Sequence, residues 1–473
     1  MRSELLVLAL LACAPPDARV RDGRGDTDAP PIGLDTHDTG AQPTGDPEVD
    51  LRALAAERGL EPWGPVPIED AALYALGAQL FVEPLLLGGV VVPELQACSS
   101  CHAALGPEGR DYALKDIGDE GIRYGRTMPT FTDVGRAGVS AWFWDAAVRV
   151  EDGRLRSPLE DLVPPDTDPL VVALMWGGAH VGTVFRANMP LQEVPPGSVF
   201  RPADIPEDIR ERWAYSLERV LGVRAYRDAL RRAFPEVPEG ELSYLHLATA
   251  LAAFVRPAFA TEDTPWDRWL AGDAGAMSPA AKRGGVRFFE LGCDGCHAGS
   301  GFSDQRAHAL AVPQFAPGIG DDAPRDLGLE IHTRRREDRF AFLTPRLRNL
   351  RHTRPYMHDG AYGTLQEAIL HHTDPLGRLG AYGQEDVPVC SQFLDETKTH
   401  LPQRPPLAYA TPAAAVADMG PFVDPGLPQG VALTDADLQA LVDFLEALNE
   451  PSHFGRVEQI RETGASGLYP WFF

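Results

Sequence analysis

Cys98-Ser99-Ser100-Cys101-His102 and, 195 residues further along, Cys293-Asp294-Gly295-Cys296-His297 decide how this 473-residue chain is read. Each pentapeptide is the attachment sequence for a c-type haem. Cysteines three apart lie on one helical turn and can bond both vinyl groups of a porphyrin, and the histidine that follows reaches the iron from the same side. From the chain's own Cys and His frequencies roughly 0.002 such pentapeptides are expected by chance, so two constitute a signal. A thioredoxin-like redox pair does not explain a histidine after each cysteine pair, and a zinc site needs its ligands in compact clusters. Cys98, Cys101, Cys293 and Cys296 are therefore assigned to thioether bonds, and His102 and His297 to iron.

The flanks of the two sites repeat. Asp70 to Phe81 (DAALYALGAQLF) has apolar residues at helical spacing and leads into the first site, and Ser278 to Phe289 (SPAAKRGGVRFF) does the same before the second. A helix laying an apolar edge beside each haem makes two related haem domains. Glu241 to Phe254 and Thr434 to Leu448 are also helical in period, the second opening with Thr434 as cap and Asp437 three residues on. No alternating strand pattern of comparable length occurs. The expected fold class is mainly α: two c-type cytochrome domains with the long loops that 46 Gly and 43 Pro imply, preceded by a disordered tether. Thr261 to Ala274, rich in Pro, Asp and Gly, is the expected boundary. Residues 51–262 then form an N-terminal haem domain and residues 263–460 a C-terminal one.

Residues 1–13 carry an apolar run ending in Leu10-Leu11-Ala12-Cys13, the form of an export signal with a lipoprotein processing box. The expected location is the bacterial cell envelope, periplasmic or held at the outer membrane, with membrane contact only through a lipid on Cys13. Residues 14–50 hold nine acids and no aromatic residue and read as a flexible acidic linker. The net charge of -25, from 68 acids against 43 bases, repels phosphate backbones. It argues against nucleic acid and for a basic protein partner.

From Asp70 to Leu448 the chain resembles the dihaem cytochrome c peroxidase family, which includes the MauG-type enzymes. Besides the two attachment sites, the resemblance rests on Phe81, Arg126-Thr-Met-Pro-Thr130, Phe143-Trp144-Asp145, Trp266-Asp-Arg-Trp-Leu-Ala-Gly272, Thr344-Pro-Arg-Leu-Arg-Asn349 and Arg354-Pro-Tyr-Met-His-Asp-Gly360, in that order. It implies two covalently bound haem c groups, a peroxidatic N-terminal domain and an electron-transferring C-terminal domain. It also implies a tryptophan between the haems at Trp144, Arg126 beside the cofactor, and a calcium ion at the domain interface, with Thr127, Thr353 and Pro355 in the matching positions. Counted from Thr364, which with Glu367 makes a capping box, the family's axial Met or Tyr falls on His372. Met357 is the rival ligand. His371 is expected to point elsewhere, to the surface or behind the ligand, and His358 matches a motif histidine of structural role. Two imidazoles on one iron lower its reduction potential relative to a His/Met pair.

Peroxide cleavage needs an open iron position and a nearby acid/base. The glutamate that the family uses is missing: no Glu lies between Asp161 and Gln192. Three expectations stay open. His180 moves the proton; or Asp166, Asp168 or Glu193 does; or the acid/base is gone. Asp119 stands where the family has a displaceable histidine, so the first haem is either constitutively open or closed by Met128, Met175, Met189 or His180. Cys390 is left over, as an inert thiol or as a crosslink in a homodimer. The leading expectation is a peroxidase that reduces hydrogen peroxide with electrons from a small donor protein, such as a monohaem cytochrome or a cupredoxin, entering at the C-terminal haem. The alternatives are a MauG-type oxidase acting on a protein or organic substrate, and a non-catalytic dihaem electron-transfer protein.

Overall fold

The computed structural model describes residues 44–87, 97–102, 116–117, 122–123, 126–127, 129–188, 208–315, 324–387 and 406–453, with backbone only at 87, 100–101, 116–117, 122–123 and 179–188. In the first half the helices are α1 (Pro47–Glu57), α2 (Ala71–Phe81), α3 (Cys98–His102), α4 (Pro169–Asn188), α5 (Ile209–Gly222), α6 (Arg224–Ala233) and α7 (Tyr244–Ala258). They are followed by α8 (Pro265–Leu270), α9 (Pro279–Glu290), α10 (Glu330–Thr333), α11 (Leu365–Thr373), α12 (Pro375–Ala381), α13 (Pro412–Met419) and α14 (Asp435–Glu446). Short antiparallel sheets complete the described residues: β1 (Asp116–Ile117) with β2 (Ile122–Arg123), β3 (Ala141–Trp142) with β4 (Val148–Glu151) and β5 (Arg154–Arg156), and β6 (Ala307–Ala309) with β7 (Ala341–Leu343). The fold is mainly α.

Local chemistry starts the helices that matter for the two sites. Asp70 accepts the Ala72 and Leu73 N–H groups at the head of α2, and Ser278 accepts Ala281 N–H at the head of α9. Thr364 with Glu367 and Thr434 with Asp437 form reciprocal capping boxes on α11 and α14. Each cap satisfies donors that a helix start leaves unpaired and contributes about 1 kcal/mol.

Two hydrophobic cores form, and their plans match. In the first, α2 crosses α7, burying Leu76, Leu80, Phe81, Leu247, Leu251 and Phe254. In the second, α9 crosses α14, burying Phe288, Phe289, Leu441, Phe444 and Leu445. Both crossings pivot on a helical glycine. A Cβ on Gly77 would meet the Ala250 carbonyl oxygen at 2.0 Å, and one on Gly284 the Ala440 carbonyl oxygen at 1.8 Å. The internal repeat anticipated from the flanks of the attachment sites thus extends to the helix that closes each core.

Two details differ from the expected organisation. Pro47 to Asp50, read as the end of the acidic linker, open α1, and α1 packs on the second core: Leu51 is fully buried and its methyls lie against the Gly285 position. Residues 51–60, assigned to the N-terminal domain by their order, therefore belong with the C-terminal core, because Leu51, Ala55 and Leu60 find their apolar partners there. The segment near Thr261, expected as the boundary, is no exposed linker. Thr261 donates its N–H and hydroxyl to the buried Asp133 carboxylate at 2.8 and 2.6 Å, and receives Asn349 Nδ2 at 2.9 Å. Trp266 and Trp269 of α8 are wholly buried. Residues 1–43 and 454–460 lie outside the described residues. Among the described residues no helix is long and apolar enough to cross a membrane.

Candidate functional site

After α9, Gly292 adopts φ 71° and turns the chain into Cys293-Asp294-Gly295. Arg58 of the α1 exit pairs with Asp294 and lies over Phe289, so α1 braces this turn. Cys293, Cys296 and His297 face a cavity whose walls are otherwise nearly all apolar, from Phe288, Leu347, Leu350, Leu365, Ile369 and Leu441. His297 and His372 enter it from opposite elements, with ring centres 6.3 Å apart. Two metal–imidazole bonds of about 2 Å, with each ring's own radius added, give a separation of about 6 Å. Nδ1 of His297 lies 3.1 Å from the Phe302 carbonyl and Nδ1 of His372 lies 2.8 Å from the Ala368 carbonyl. A carbonyl only accepts, so both Nδ1 atoms carry the proton and both Nε2 lone pairs are free for a metal. Burial, reinforced by the neighbouring His372, brings His297 down to about 4, and burial lowers His372 as well. Both rings are thus neutral, as ligands must be.

The other histidines near this cavity have different surroundings. His371 is not at the surface but fully buried, with Nδ1 2.8 Å from the Tyr362 hydroxyl and Nε2 2.8 Å from the Leu310 carbonyl. Met357, at φ 74°, also lines the cavity. His358 stacks on Phe342 at 3.6 Å, and its buried Nε2 lacks a hydrogen-bond partner among the described residues. A large apolar cavity with two cysteines, two opposed neutral imidazoles and one orphaned polar atom fits a covalently held haem.

Trp144 lines the same cavity although it comes from the first half of the chain. Its indole N–H donates to the Thr127 carbonyl at 2.9 Å, and its own carbonyl accepts from Leu343 of β7 at 2.7 Å. The turn around it is tightly constrained. Phe143 and Ala146 have φ 70° and 49°, and Ala146 packs with Leu329 and Ala341 of the second half. Arg126 holds the turn from beneath: its guanidinium donates to Asp145 at 2.7 Å and to both Asp326 oxygens at 2.6 and 2.8 Å. Burial alone would raise Asp145, but Arg126 and then His332 outweigh it and hold this carboxyl far below the usual range.

The first attachment site is α3. Cys98 packs on the first core, and the His102 ring stacks on Phe131 at 3.9 Å with 10° between planes. Phe131 touches Phe81 and Phe259 in turn, so the aromatic end of α2 supports the histidine as expected. The Cys101 side chain lies outside the described residues.

Residues 71–275 match the family model described as di-haem cytochrome c peroxidase. Over that segment the chain is similar to the dihaem cytochrome c peroxidase family. It is 34% identical over 224 residues to the methylamine utilization protein MauG of Methylorubrum extorquens, covering 47% of this chain and 58% of that one. To cytochrome-c peroxidase IdrP1 of Denitromonas iodatirespirans it is 29% identical over 366 residues, covering 69% and 83%. To cytochrome c551 peroxidase of Pseudomonas aeruginosa it is 26% identical over 295 residues, covering 62% and 69%. The chain thus matches a little over half the length of the MauG proteins, 58% here and 53% for that of Methylophilus methylotrophus. The fold is that of a MauG-like protein associated with microbial copper homeostasis, with TM-score 0.50 and 21% identity over 83% of this chain and 94% of that one.

Measured against the family pattern, this dihaem peroxidase relative departs in its distal residues and at the domain junction. Asp168, one candidate acid/base, accepts Leu170 N–H at 2.9 Å as a cap of α4 and pairs with Arg256. It is thereby a structural residue. Asp166 is exposed, and Met175 is buried in the first core. His180 is on α4 with its side chain outside the described residues, as are Cys13, Asp119, Met128, Met189, Glu193 and Cys390 altogether. At the expected calcium position Thr127 points both its N–H (2.7 Å) and its hydroxyl (3.1 Å) at the His358 carbonyl, while the Thr353 hydroxyl bonds Leu350 at 3.2 Å. Calcium favours several carboxylate or carbonyl oxygens converging on one point, so an ion here would draw on the backbone carbonyls of Thr353 and Pro355 and not on these hydroxyls.

One functional group escaped sequence reasoning. His308 of β6 lines the cavity between Asp304 (Nε2, 2.8 Å) and Asp424 (Nδ1, 2.5 Å), and its ring nitrogen, Cys296 Sγ and an Asp304 oxygen lie within 4.8 Å of one another. Asp304 above all, then Cys296 while its thiol is free, and Asp424 push it up to about 11 against burial, and the two carboxylates favour an imidazolium beside the attachment cysteine. Asp304 is four residues from His308, but Asp424 is 116 residues away, so no local pattern marks the group.

Proposed function

We propose that this chain is an exported dihaem c-type peroxidase that reduces hydrogen peroxide to water with electrons from a small redox protein. When bound, the haems supply iron that exchanges single electrons and, at an open coordination position, breaks the peroxide O–O bond. Cys293 and Cys296 would tether the second haem with His297 and His372 as the residues to hold its iron, and Cys98, Cys101 and His102 would hold the first. With both histidines engaged, the second iron would have no position for peroxide, so it would serve electron transfer and the first would serve peroxide chemistry. Trp144, on the wall of the second cavity and rooted in the first half of the chain, carries electrons between them. Arg126, Asp145 and Thr127 keep its indole in place. The observation that carries this reading is the 6.3 Å separation of His297 and His372 with both Nε2 atoms unprotonated. Rapid mixing of the ferric holoprotein with peroxide should change the haem absorption; no change at either haem would defeat the proposal.

A MauG-type oxidase is the second reading, favoured by one observation. Among the described residues the carboxylates near the missing distal glutamate are Asp168, already engaged by α4 and Arg256, and the exposed Asp166. If no acid/base stands there, electrons would be drawn slowly from an organic or protein substrate instead of from a carrier. A ferric spectrum that is purely low-spin and unresponsive to cyanide would exclude both readings and leave an electron carrier.

A further inference from the structure

Tyr362 and His371 form a buried pair that the proposed peroxide chemistry does not use. The phenol is 5% exposed and the imidazole 0%, and Oη lies 2.8 Å from Nδ1. The direction of this hydrogen bond is forced. His371 Nε2 sits 2.8 Å from the Leu310 carbonyl, which can only accept, so Nε2 carries the ring proton and Nδ1 is a bare lone pair. Tyr362 must donate. The pair also stands directly behind the second cavity. His371 is the chain neighbour of His372, and Leu310 lines the cavity. Tyr356, which bonds Tyr362 across an antiparallel bridge with N···O distances of 2.7 and 3.4 Å, lines it too.

A buried phenol resists oxidation chiefly because removing an electron leaves a positive ring in an apolar site. A lone pair already aimed at the hydroxyl lets the proton leave as the electron does, so the charge passes from the phenol ring to the imidazole, although burial opposes protonation there as well. Tyr382 supplies the contrast within the same cluster. Its ring is 5.8 Å from that of Tyr362, but its hydroxyl donates to the Ala361 and Asp386 carbonyls at 2.8 and 3.2 Å, which are no bases.

We infer that Tyr362 is a redox-active residue with His371 as its proton acceptor. In the step, Tyr362 gives one electron to a one-electron oxidant, its O–H bond breaks, and the proton forms an N–H bond at Nδ1 of His371. A neutral phenoxyl and an imidazolium remain, hydrogen-bonded to each other. In the working protein the oxidising equivalent originates from peroxide, which is reduced to water, and reaches Tyr362 through the neighbouring haem site. The inference rests on the peroxidase reading only for that source. Its effect is to park one oxidising equivalent beside the second haem when no carrier is present.

The test uses holoprotein of the full chain, freeze-quenched without donor after mixing with hexachloroiridate(IV) in one arm and hydrogen peroxide in the other, and read by electron paramagnetic resonance. Wild type should give a tyrosyl signal with hexachloroiridate. Tyr362→Phe should lose it, His371→Gln should lose it while keeping the phenol, and Tyr382→Phe should retain it, with haem absorption confirming each variant's loading. No tyrosyl signal in wild type, or one undiminished in Tyr362→Phe, overturns the inference. If peroxide changes no haem absorption, the peroxidase reading fails, and the hexachloroiridate arm still decides the role of Tyr362.

Discussion

Gly284→Ala tests whether the helix crossing behind the second haem site is as tight as it looks. The added Cβ would sit 1.8 Å from the Ala440 carbonyl oxygen and 2.4 Å from its carbon, and both are backbone atoms that cannot rotate away. Restoring ordinary contact requires α9 and α14 to part by about 1.5 Å. Overpacking of this kind costs about 1–3 kcal/mol and more when backbone must move, against a gain of about 1 kcal/mol from replacing Gly by Ala inside a helix. A net loss of about 2 kcal/mol lowers the melting temperature of a unit this size by about 4–8 °C. The same movement opens the wall formed by Phe288, Leu441 and Leu445, so haem retention should fall with stability. Two neighbours calibrate the result. At Gly285 a Cβ would meet Leu51 methyls at 2.9 and 3.0 Å, side-chain atoms that can yield, and at Gly295 nothing lies within 4 Å. Thermal melts with haem absorbance in parallel should rank the variants Gly284→Ala, then Gly285→Ala, then Gly295→Ala in order of damage. A Gly284→Ala protein that melts with wild type and holds full haem would refute the close-crossing argument.

Replacing His372 by Met should raise the midpoint potential of the second haem, because a thioether donates less to ferric iron than an imidazole does, and His372→Ala should add a high-spin component; spectroelectrochemistry and the ferric spectrum check the two. Arg126→Gln strands Asp145 and Asp326, carboxylates 6% and 2% exposed, and should cost about 3–5 kcal/mol in chemical unfolding. His308 titrates near 6.5 in the unfolded chain and is raised to about 11 in the fold, so its contribution is whole below pH 6.5 and is lost as pH rises toward 11. Unfolding free energies measured across that window should decline, and in His308→Gln the decline should flatten; equal slopes would show that the two carboxylates do not hold a proton on the ring.

The haem attachment residues, the helices beside them and their caps could be read directly from the chain. Thr364 announces α11 through a glutamate three residues later, Ser278 announces α9, and cysteine spacing is set by one helical turn. Each is a short-range relation whose physics is complete within a dozen residues. His372 was singled out only through the family resemblance, which places an axial ligand at that distance from the cap of α11; the cap itself says nothing of a ligand. What lay beyond reach was every relation whose partners are distant in sequence. Leu51 joins the C-terminal core across more than 200 residues because the apolar surface that covers it is there. Arg126 finds Asp326, His308 finds Asp424, and Thr127 closes on the His358 carbonyl only once the two halves dock. The proton direction between Tyr362 and His371 likewise depends on the Leu310 carbonyl, 61 residues upstream of His371. Covalent chemistry and helix termini are local and therefore written in order along the chain; which buried groups face one another is settled by packing, where the energetic choice is among whole surfaces instead of neighbouring residues.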